Sequence, residues 1–378
     1  QEGQTLRAAL DEVRSSVFET FRISESSHSV IFTSGATEAN NTALLSLYDS
    51  ALSHPNVNLV TTSVEHPSVR SAIALLQERH GLEIREVAPI KHSSDISSEK
   101  AGCDCSCAFD KDFQCRVLKA IDDNTRAVSL MWVNNETGQI FPVPELANRI
   151  ADAHPNVYLH VDAVQAVGKI PVDLSRFSFD SLSISPHKFG GLPGVGILII
   201  RNRVPHAPLI VGGAQESYWR AGTENVFGIL TLPPLLNALS GHIDEYCERI
   251  ALLRNEFEEN IIKRFPSITP LAQNFLRVAN TSFLHIPGQR ADDLVVALDL
   301  EGVACSVGAA CSSGKMLGSH VALNMGLSEQ ASHEVLRFSF RTDFPRSDLP
   351  LLLARCTTVL ERAATVSHSS THFETVRQ

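Results

Sequence analysis

Four stretches of the sequence carry residue types at spacings that could do chemistry. In SLSISPHKFGGLPGVGILII an apolar strand pattern ends at Ser185 and runs through His187 and Lys188 into a glycine-rich turn. A lysine at a strand end in apolar surroundings is partly desolvated, which lowers its pKa and frees an amine for attack on a carbonyl. A lysine in a surface loop gives the same pattern. In VYLHVDAVQAVGKIPVD, Asp162 follows directly on a strand and Gln165 comes one helical turn later. A carboxylate there could pair with a protonated ring nitrogen, a contact worth ~4 kcal/mol at about 4 Å and an ordinary effective dielectric, or simply cap a helix. In SVIFTSGATEANNTALL the backbone N–H groups of Gly35, Ala36 and Thr37, with the Thr37 hydroxyl, face a helix start. Free donors and the helix dipole suit a phosphate there, and capping explains the pattern equally well. No glycine-rich dinucleotide fingerprint or Walker lysine accompanies it, so such a phosphate belongs to something other than NAD or ATP. EGVACSVGAACSSGKMLGSH offers two thiols. Cys305 ends an apolar stretch, as a packed cysteine does; Cys311 sits among Gly, Ala and Ser, with the access a nucleophilic thiolate needs.

The elements that must position these residues are legible from periodicity. From about residue 28 to 200, strand-like runs (SVIFT, NLVTT, AVSLMWV, VYLHV, SLSIS, GVGILII) alternate with helical spacing over 37–50, 67–80 and 144–153. That alternation predicts an α/β domain whose mostly parallel sheet is covered on both faces. Ligands of such sheets bind at the carboxyl ends of strands, where Ala36, Asp162 and Lys188 fall. Residues 91–115, polar and rich in Ser and Cys, interrupt the pattern and read as an inserted surface loop. The C-x-C-x-C run in it (Cys103, Cys105, Cys107, followed by Cys115) could bind a metal but departs from the two-to-four-residue spacing of structural zinc pairs, so a flexible insertion without metal is the favoured expectation. After about residue 235 the texture becomes a long helix (239–264), two or three strands and a last helix near 347–365. The expected division is therefore an α/β domain over 1–234 and a smaller α+β domain over 235–378.

Composition narrows the function classes. The net charge of −10 in 378 residues argues against a nucleic-acid surface. No apolar run approaches the roughly 18 residues of a membrane span. Eight cysteines in a chain of this length do not form a secreted disulfide framework, and a reducing compartment is the simpler expectation. A small-molecule substrate or another protein is the expected partner.

Taken in chain order, the motifs FTSGATEANN, VEHPSV, VNNETG, HVDAVQAVGKIPVD, SPHKFGGLPGVG, GGAQESYWRAGTEN, SVGAACSSG and RFSF cover residues 31 to 340. This set resembles the class-V aminotransferase-like cysteine desulfurases and selenocysteine lyases, pyridoxal-phosphate (PLP) enzymes of fold type I. The resemblance implies a homodimer in which Lys188 holds PLP covalently, Asp162 meets its ring nitrogen and Gln165 its phenolic oxygen. It implies that His66 stacks on the ring and helps move protons. Ala36, Thr37, Ser185 and His187 would bind the phosphate, joined by Thr223 from a second subunit. Asn135, which also borders the cofactor, and Arg337 would hold the substrate, and Cys311 would form the persulfide.

The implied reaction converts L-cysteine to L-alanine and passes sulfur from Cys311 to an acceptor protein, with iron–sulfur cluster assembly as one outlet. Selenocysteine lyase activity is the alternative implied by the same motifs. An aminotransferase of the same fold would not need Cys311, and a catalytically inactive scaffold would bind no cofactor. The implied location is cytoplasmic or mitochondrial. Family members begin some tens of residues earlier with an Asn-Pro-Ser-x-His segment, so an N-terminal stretch is expected to be missing here. The FRTDF that follows RFS replaces the usual glycine-containing continuation.

Overall fold

The computed structural model describes residues 2–47, 57–89, 105–205, 207–239, 241, 243–308 and 318–374. The chain divides into two compact units. One comprises Gln1–Val87, Cys107–Asn134 and Ile140–Asp244; the other comprises Glu245–Gln378 with Asn135–Gln139 and Ala88–Ser106.

Among the described residues of the first unit, seven strands form one sheet: β1 (His28–Thr33), β2 (Asn58–Thr62), β3 (Glu83–Val87), β4 (Thr125–Met131), β5 (Tyr158–Asp162), β6 (Ser181–Ile184) and β7 (Gly196–Arg201). Their order is β1-β7-β6-β5-β4-β2-β3. Strand β7 is antiparallel to both its neighbours, and every other pair is parallel. Because β7 alone is reversed, β1, β2, β5 and β6 all release the chain at one end of the sheet. The segments that carry Ala36, His66, Asp162 and Lys188 lie at those strand ends.

Strand β5 shows how a period of two separates chemistry from packing. Tyr158, His160 and Asp162 face one side, and the Tyr158 hydroxyl reaches the Ala43 carbonyl of the helix Ala36–Leu45 at 3.2 Å. Leu159, facing the other way, lines a cavity with Ala147 and Ile150 of the helix Val143–Ala153. Helices thus cover both faces, as a parallel sheet requires.

Local sequence explains how these helices begin and end. Pro67 occupies the first turn of the helix Pro67–His80, where its missing N–H costs nothing, and the His66 ring accepts from the Ser68 N–H as the cap. Gly81, at φ 65°, closes that helix in the left-handed region. The helix Ala36–Leu45 instead starts at Gly35 with no side-chain cap. Its entry turn is held by Glu38, whose carboxylate accepts from the Ser34 N–H at 2.8 Å.

The second unit has its own antiparallel sheet of β8 (Thr269–Pro270), β9 (Thr281–His285), β10 (Ser306–Val307) and β11 (Val335–Ser339), in the order β10-β11-β9-β8. The helix Leu349–Glu374 and, from Glu245 on, the helix Ile243–Arg264 belong to its chain segment. Its core centres on Phe257, whose ring lies 5.0 Å from Phe338 and 5.5 Å from Phe340.

Three features differ from the sequence-based expectation. Strand β3 was not anticipated, because EIREV buries only Val87 and carries no apolar alternation; it is an edge strand paired on one side. The inserted loop expected over 91–115 does not extend to its later part: Cys105–Ala120 is a helix, with Phe113 and Val117 buried one turn apart. Those apolar residues are masked in the sequence by the surrounding Cys, Asp and Lys. Residues 135–139 group with the later chain rather than with their sequence neighbours. The Val278 N–H donates to the Gly138 carbonyl at 2.8 Å, and Gln139 forms a bridge with Arg277.

Gly196 of β7 runs against the turn before the helix Ala36–Leu45. A Cβ there would sit 2.4 Å from the Gly35 carbonyl carbon and 2.5 Å from Thr33 Oγ1. Gly196→Ala should therefore cost about 1–3 kcal/mol, because backbone rather than a flexible side chain must yield. Urea denaturation of the two proteins checks it.

Candidate active site

At the carboxyl end of β5, Asp162 is 5% exposed. Its Oδ1 accepts from the Val164 N–H at 3.0 Å and its Oδ2 from Asn40 Nδ2 at 2.9 Å. Burial pushes its pKa up; the Val164 N–H, the His66 charge and Asn40 oppose that shift. A carboxylate in this condition favours a cation beside it.

His66 follows β2 and is half-buried, with Nδ1 3.1 Å from the Ser68 N and 2.8 Å from Ser68 Oγ. Burial lowers its pKa, the Asp162 charge raises it, and the Lys188 charge lowers it again. The imidazole therefore senses both the acid and the amine, and the three groups share one electrostatic neighbourhood. Lys188 closes the short turn Pro186–Lys188 beyond β6. Both it and His187 are exposed. The expectation that Lys188 is desolvated by apolar surroundings is therefore corrected. The apolar run stops at Pro186, and the turn that follows carries the amine out of the packed layer.

The remaining first-unit candidates fall around the same end of the sheet. Ser185 is buried, with Oγ 2.9 Å from His187 Nδ1; His187 is shifted downward by partial burial and then by the Lys188 charge. Gln165 is half-buried and its Oε1 accepts from Lys169, which turns the amide nitrogen to other use. Ala36 and Thr37 form the uncapped start of their helix, with Thr37 exposed. Thr223 is exposed on a loop whose preceding part is anchored to the first unit. Upstream, buried Glu216 accepts from Arg14 at 3.1 and 3.2 Å and from the Phe32 N–H at 2.8 Å. Nearer Thr223, Arg220 Nε donates to Glu38 at 3.0 Å.

Asn135 and Arg337 lie in the second unit, where Arg337 donates to the Asn135 carbonyl at 2.6 Å. Among the described residues Asn135 Oδ1 is buried without a hydrogen-bond partner, as a group suited to a polar ligand would be. The neighbouring Glu136 is pushed up to about 7, chiefly by burial, against the opposing effects of its Ser319 hydrogen bond and the Arg337 charge.

Cys311 lies outside the described residues, as do Cys103 and the side chains of Cys105 and Cys107; Cys115 is exposed. Strand β10, with Ser306 paired to Arg337, leads to Gly308, three residues before Cys311. Cys305 is a poor nucleophile by comparison, since burial and then the Asp299 charge push its thiol up to about 11.

The donor set of the first unit fits PLP. A buried carboxylate suited to a cation, an uncapped helix start for a phosphate, an accessible amine and a half-buried imidazole surround the ends of adjacent segments. Sequence reasoning missed two groups there. Asn40 is fully buried beneath Asp162, and Glu65 is fully buried beside Thr62 and the Met131 N–H. The signal for Asn40 was a polar residue on the inward face of an otherwise small-residue helix. For Glu65 there was none beyond its place next to His66.

Comparison with known proteins agrees with this geometry. The aminotransferase class-V family matches residues 1–352. The chain is 36% identical to a cysteine desulfurase of Gluconacetobacter diazotrophicus over 333 residues, covering 87% of this chain and 77% of that protein. It is 34% identical to the cysteine desulfurase IscS of Dictyoglomus turgidum, over 97% of this chain and 87% of that one. The solved structure of a NifS-like protein superposes with a TM-score of 0.80 at 25% identity, covering 96% of this chain and 90% of its own.

Burial pushes Glu65 from 4.5 up to about 8, with Asp162 adding to the shift and the Thr62 and Met131 bonds opposing it. The folded state thus keeps a proton that the unfolded state has lost between those two values. That contribution is fully present below pH 4.5 and is lost as pH rises to about 8. Glu65→Gln preserves the acceptor oxygen and removes the titration. Its stability relative to the parent should rise across that window by at most roughly 1.4 kcal/mol per pH unit, as read by urea unfolding at several pH values.

Proposed function

The chain belongs to the aminotransferase class-V family and, within it, to the cysteine desulfurases, and we propose that it takes sulfur from L-cysteine with Lys188, His66 and Cys311 as its reacting groups. The family is PLP-dependent, and the residues of the first unit fit that cofactor. The observation that carries the reading is geometric: an acid, an imidazole and an amine (Asp162, His66 and Lys188) lie at the end of β5 and just after β2 and β6, parallel strands that release the chain at one end of the same sheet.

When bound, PLP supplies an aldehyde for an amine to condense with and a ring that withdraws electrons from the substrate. Lys188 Nζ would hold that aldehyde, and its amine would serve as the base for the substrate Cα proton. Asp162 would favour a proton on the ring nitrogen by its charge, and Gln165 would donate to the phenolic oxygen. His66 would face the ring and move protons to and from the substrate. The N–H groups at Ala36 and Thr37, with Ser185, His187 and a partner subunit's threonine equivalent to Thr223, would hold the phosphate. By the family resemblance, Arg337 would take the substrate carboxylate and Asn135 would assist it.

Cys311 Sγ then attacks the substrate sulfur. An S–S bond forms, the Cβ–S bond breaks, and its electron pair stays with carbon, which gains a proton and leaves as L-alanine. Cysteine plus thiol becomes alanine plus persulfide, and an acceptor protein removes the terminal sulfur.

Pairing of two chains is supported by large apolar side chains left exposed around the loop of Thr223: Leu209, Val211, Tyr218, Phe227 at 87% exposure, and Leu230. A patch of that kind on a folded unit marks an interaction surface.

Four measurements test this reading. Lys188→Ala should abolish the visible absorbance that PLP gives the parent protein and reduce alanine release to background. Cys311→Ala should bind PLP normally yet form no persulfide; full turnover of an amino acid with a keto-acid acceptor would instead identify an aminotransferase. L-cysteine should support rapid alanine release when assayed beside L-selenocysteine, and turnover confined to the selenium substrate would identify a selenocysteine lyase. Phe227→Asp should shift the protein from dimer to monomer in light scattering.

A further inference from the structure

Below Asp162 lies a chain of buried polar groups that the reaction itself does not use. Asn40, 0% exposed, donates through Nδ2 to Asp162 Oδ2 at 2.9 Å and to Ser68 Oγ at 2.9 Å. Its Oδ1 lies 3.1 Å from His160 Nε2. His160 Nδ1 lies 2.8 Å from Ser181 Oγ, and that oxygen accepts from the Tyr158 hydroxyl at 2.7 Å. His160 and Ser181 are also 0% exposed.

The proton positions follow from counting donors and acceptors. An ionised Asp162 has only acceptors to offer, so Asn40 must turn its amide nitrogen toward it and its oxygen toward His160. That oxygen needs a donor, which places the His160 proton on Nε2. Burial pushes His160 down to about 3, so the ring is neutral and its Nδ1 is an acceptor. Ser181 therefore donates to Nδ1, and the single Tyr158 hydrogen lies within reach of both Ser181 Oγ and the Ala43 carbonyl. From Ser181 through His160 and Asn40, every hydrogen in the row points toward the carboxylate.

The second arm runs to His66. Ser68 Oγ accepts from Asn40, so its own hydrogen is free for His66 Nδ1 at 2.8 Å, and the Ser68 N–H points at the same nitrogen from 3.1 Å. With two donors aimed at Nδ1, the His66 proton belongs on Nε2, the nitrogen away from Ser68.

We propose that Asn40 is a positioning residue that, oriented by His160, Ser181 and Tyr158, holds Asp162 as an acceptor and through Ser68 sets His66 as its Nε2–H tautomer. One amide thereby prepares both the group that meets the ring nitrogen and the group that stacks on the ring. This rests on the reading of Asp162 and His66 as PLP ligands given above. Loss of the amide leaves a buried carboxylate one donor short and frees the Ser68 hydroxyl to turn from His66. A hydrogen bond to a charged group is worth about 1.5–3 kcal/mol, which corresponds to roughly a tenfold to hundredfold change.

The test reads the native protein first. In ¹⁵N NMR of histidine-labelled holoenzyme, His66 and His160 should both carry their proton on Nε2. Asn40→Ala should bind PLP roughly tenfold to hundredfold more weakly in titrations of the apo-protein. It should also weaken the preference of His66 for the Nε2–H tautomer, since the Ser68 hydroxyl no longer backs the Ser68 N–H at Nδ1. A proton on Nδ1 of either ring overturns the proposal, and so does an Asn40→Ala protein that keeps parental PLP affinity and the parental His66 tautomer. Should Asn40→Ala fail to fold, the tautomers of the native protein decide. If the parent takes up no PLP, the functional reading falls, while the same spectra still decide the hydrogen-bond network.

Discussion

A carboxylate taken out of water must be answered by donors or by a cation, and Asp162 is such a group at the end of β5. Its position is set by strand pairing: β5 lies between β4 and β6, so neither the backbone nor the side chain can retreat to solvent. The Val164 N–H and Asn40 answer part of the demand. The rest of that demand is what the proposed function assigns to a protonated ring nitrogen.

The sheet topology is what gathers the other participants. Strand β7 runs against its neighbours, and this reversal lets β1 join the sheet in the same sense as β5 and β6. The helix that follows β1 therefore starts near the segment that follows β6. Gly196 allows the close approach, since any side chain there would meet the Gly35 backbone. Glu38 then serves two neighbours at once, the Ser34 N–H in the turn and Arg220 in the loop of Thr223.

Much of the chemistry was legible in the sequence because it is encoded locally. Lys188, Asp162 and the TSGAT turn each follow an apolar strand run, and strand ends are where an α/β sheet exposes ligand-binding groups. What escaped were residues whose roles depend on distant partners. Asn40 reads as one polar residue in a helix until β5 brings Asp162 and His160 against it, 122 and 120 positions later. The exposure of Lys188 escaped for a related reason: the apolar strand before it says nothing of where a short turn beyond Pro186 will point.

The amino-acid order by itself determined the alternation of strand and helix, the chemistry-bearing residues and the family resemblance, since all of these are carried by spacing and side-chain type along a few residues. Tertiary structure decided the burial of Asp162, the company it keeps with Asn40 and His66, and the grouping of Asn135 with Arg337. The physical reason is that solvation and hydrogen-bond pairing belong to neighbours in space. A residue's type announces what it can do, and only the packed surroundings decide in which protonation state and toward which atom it does so.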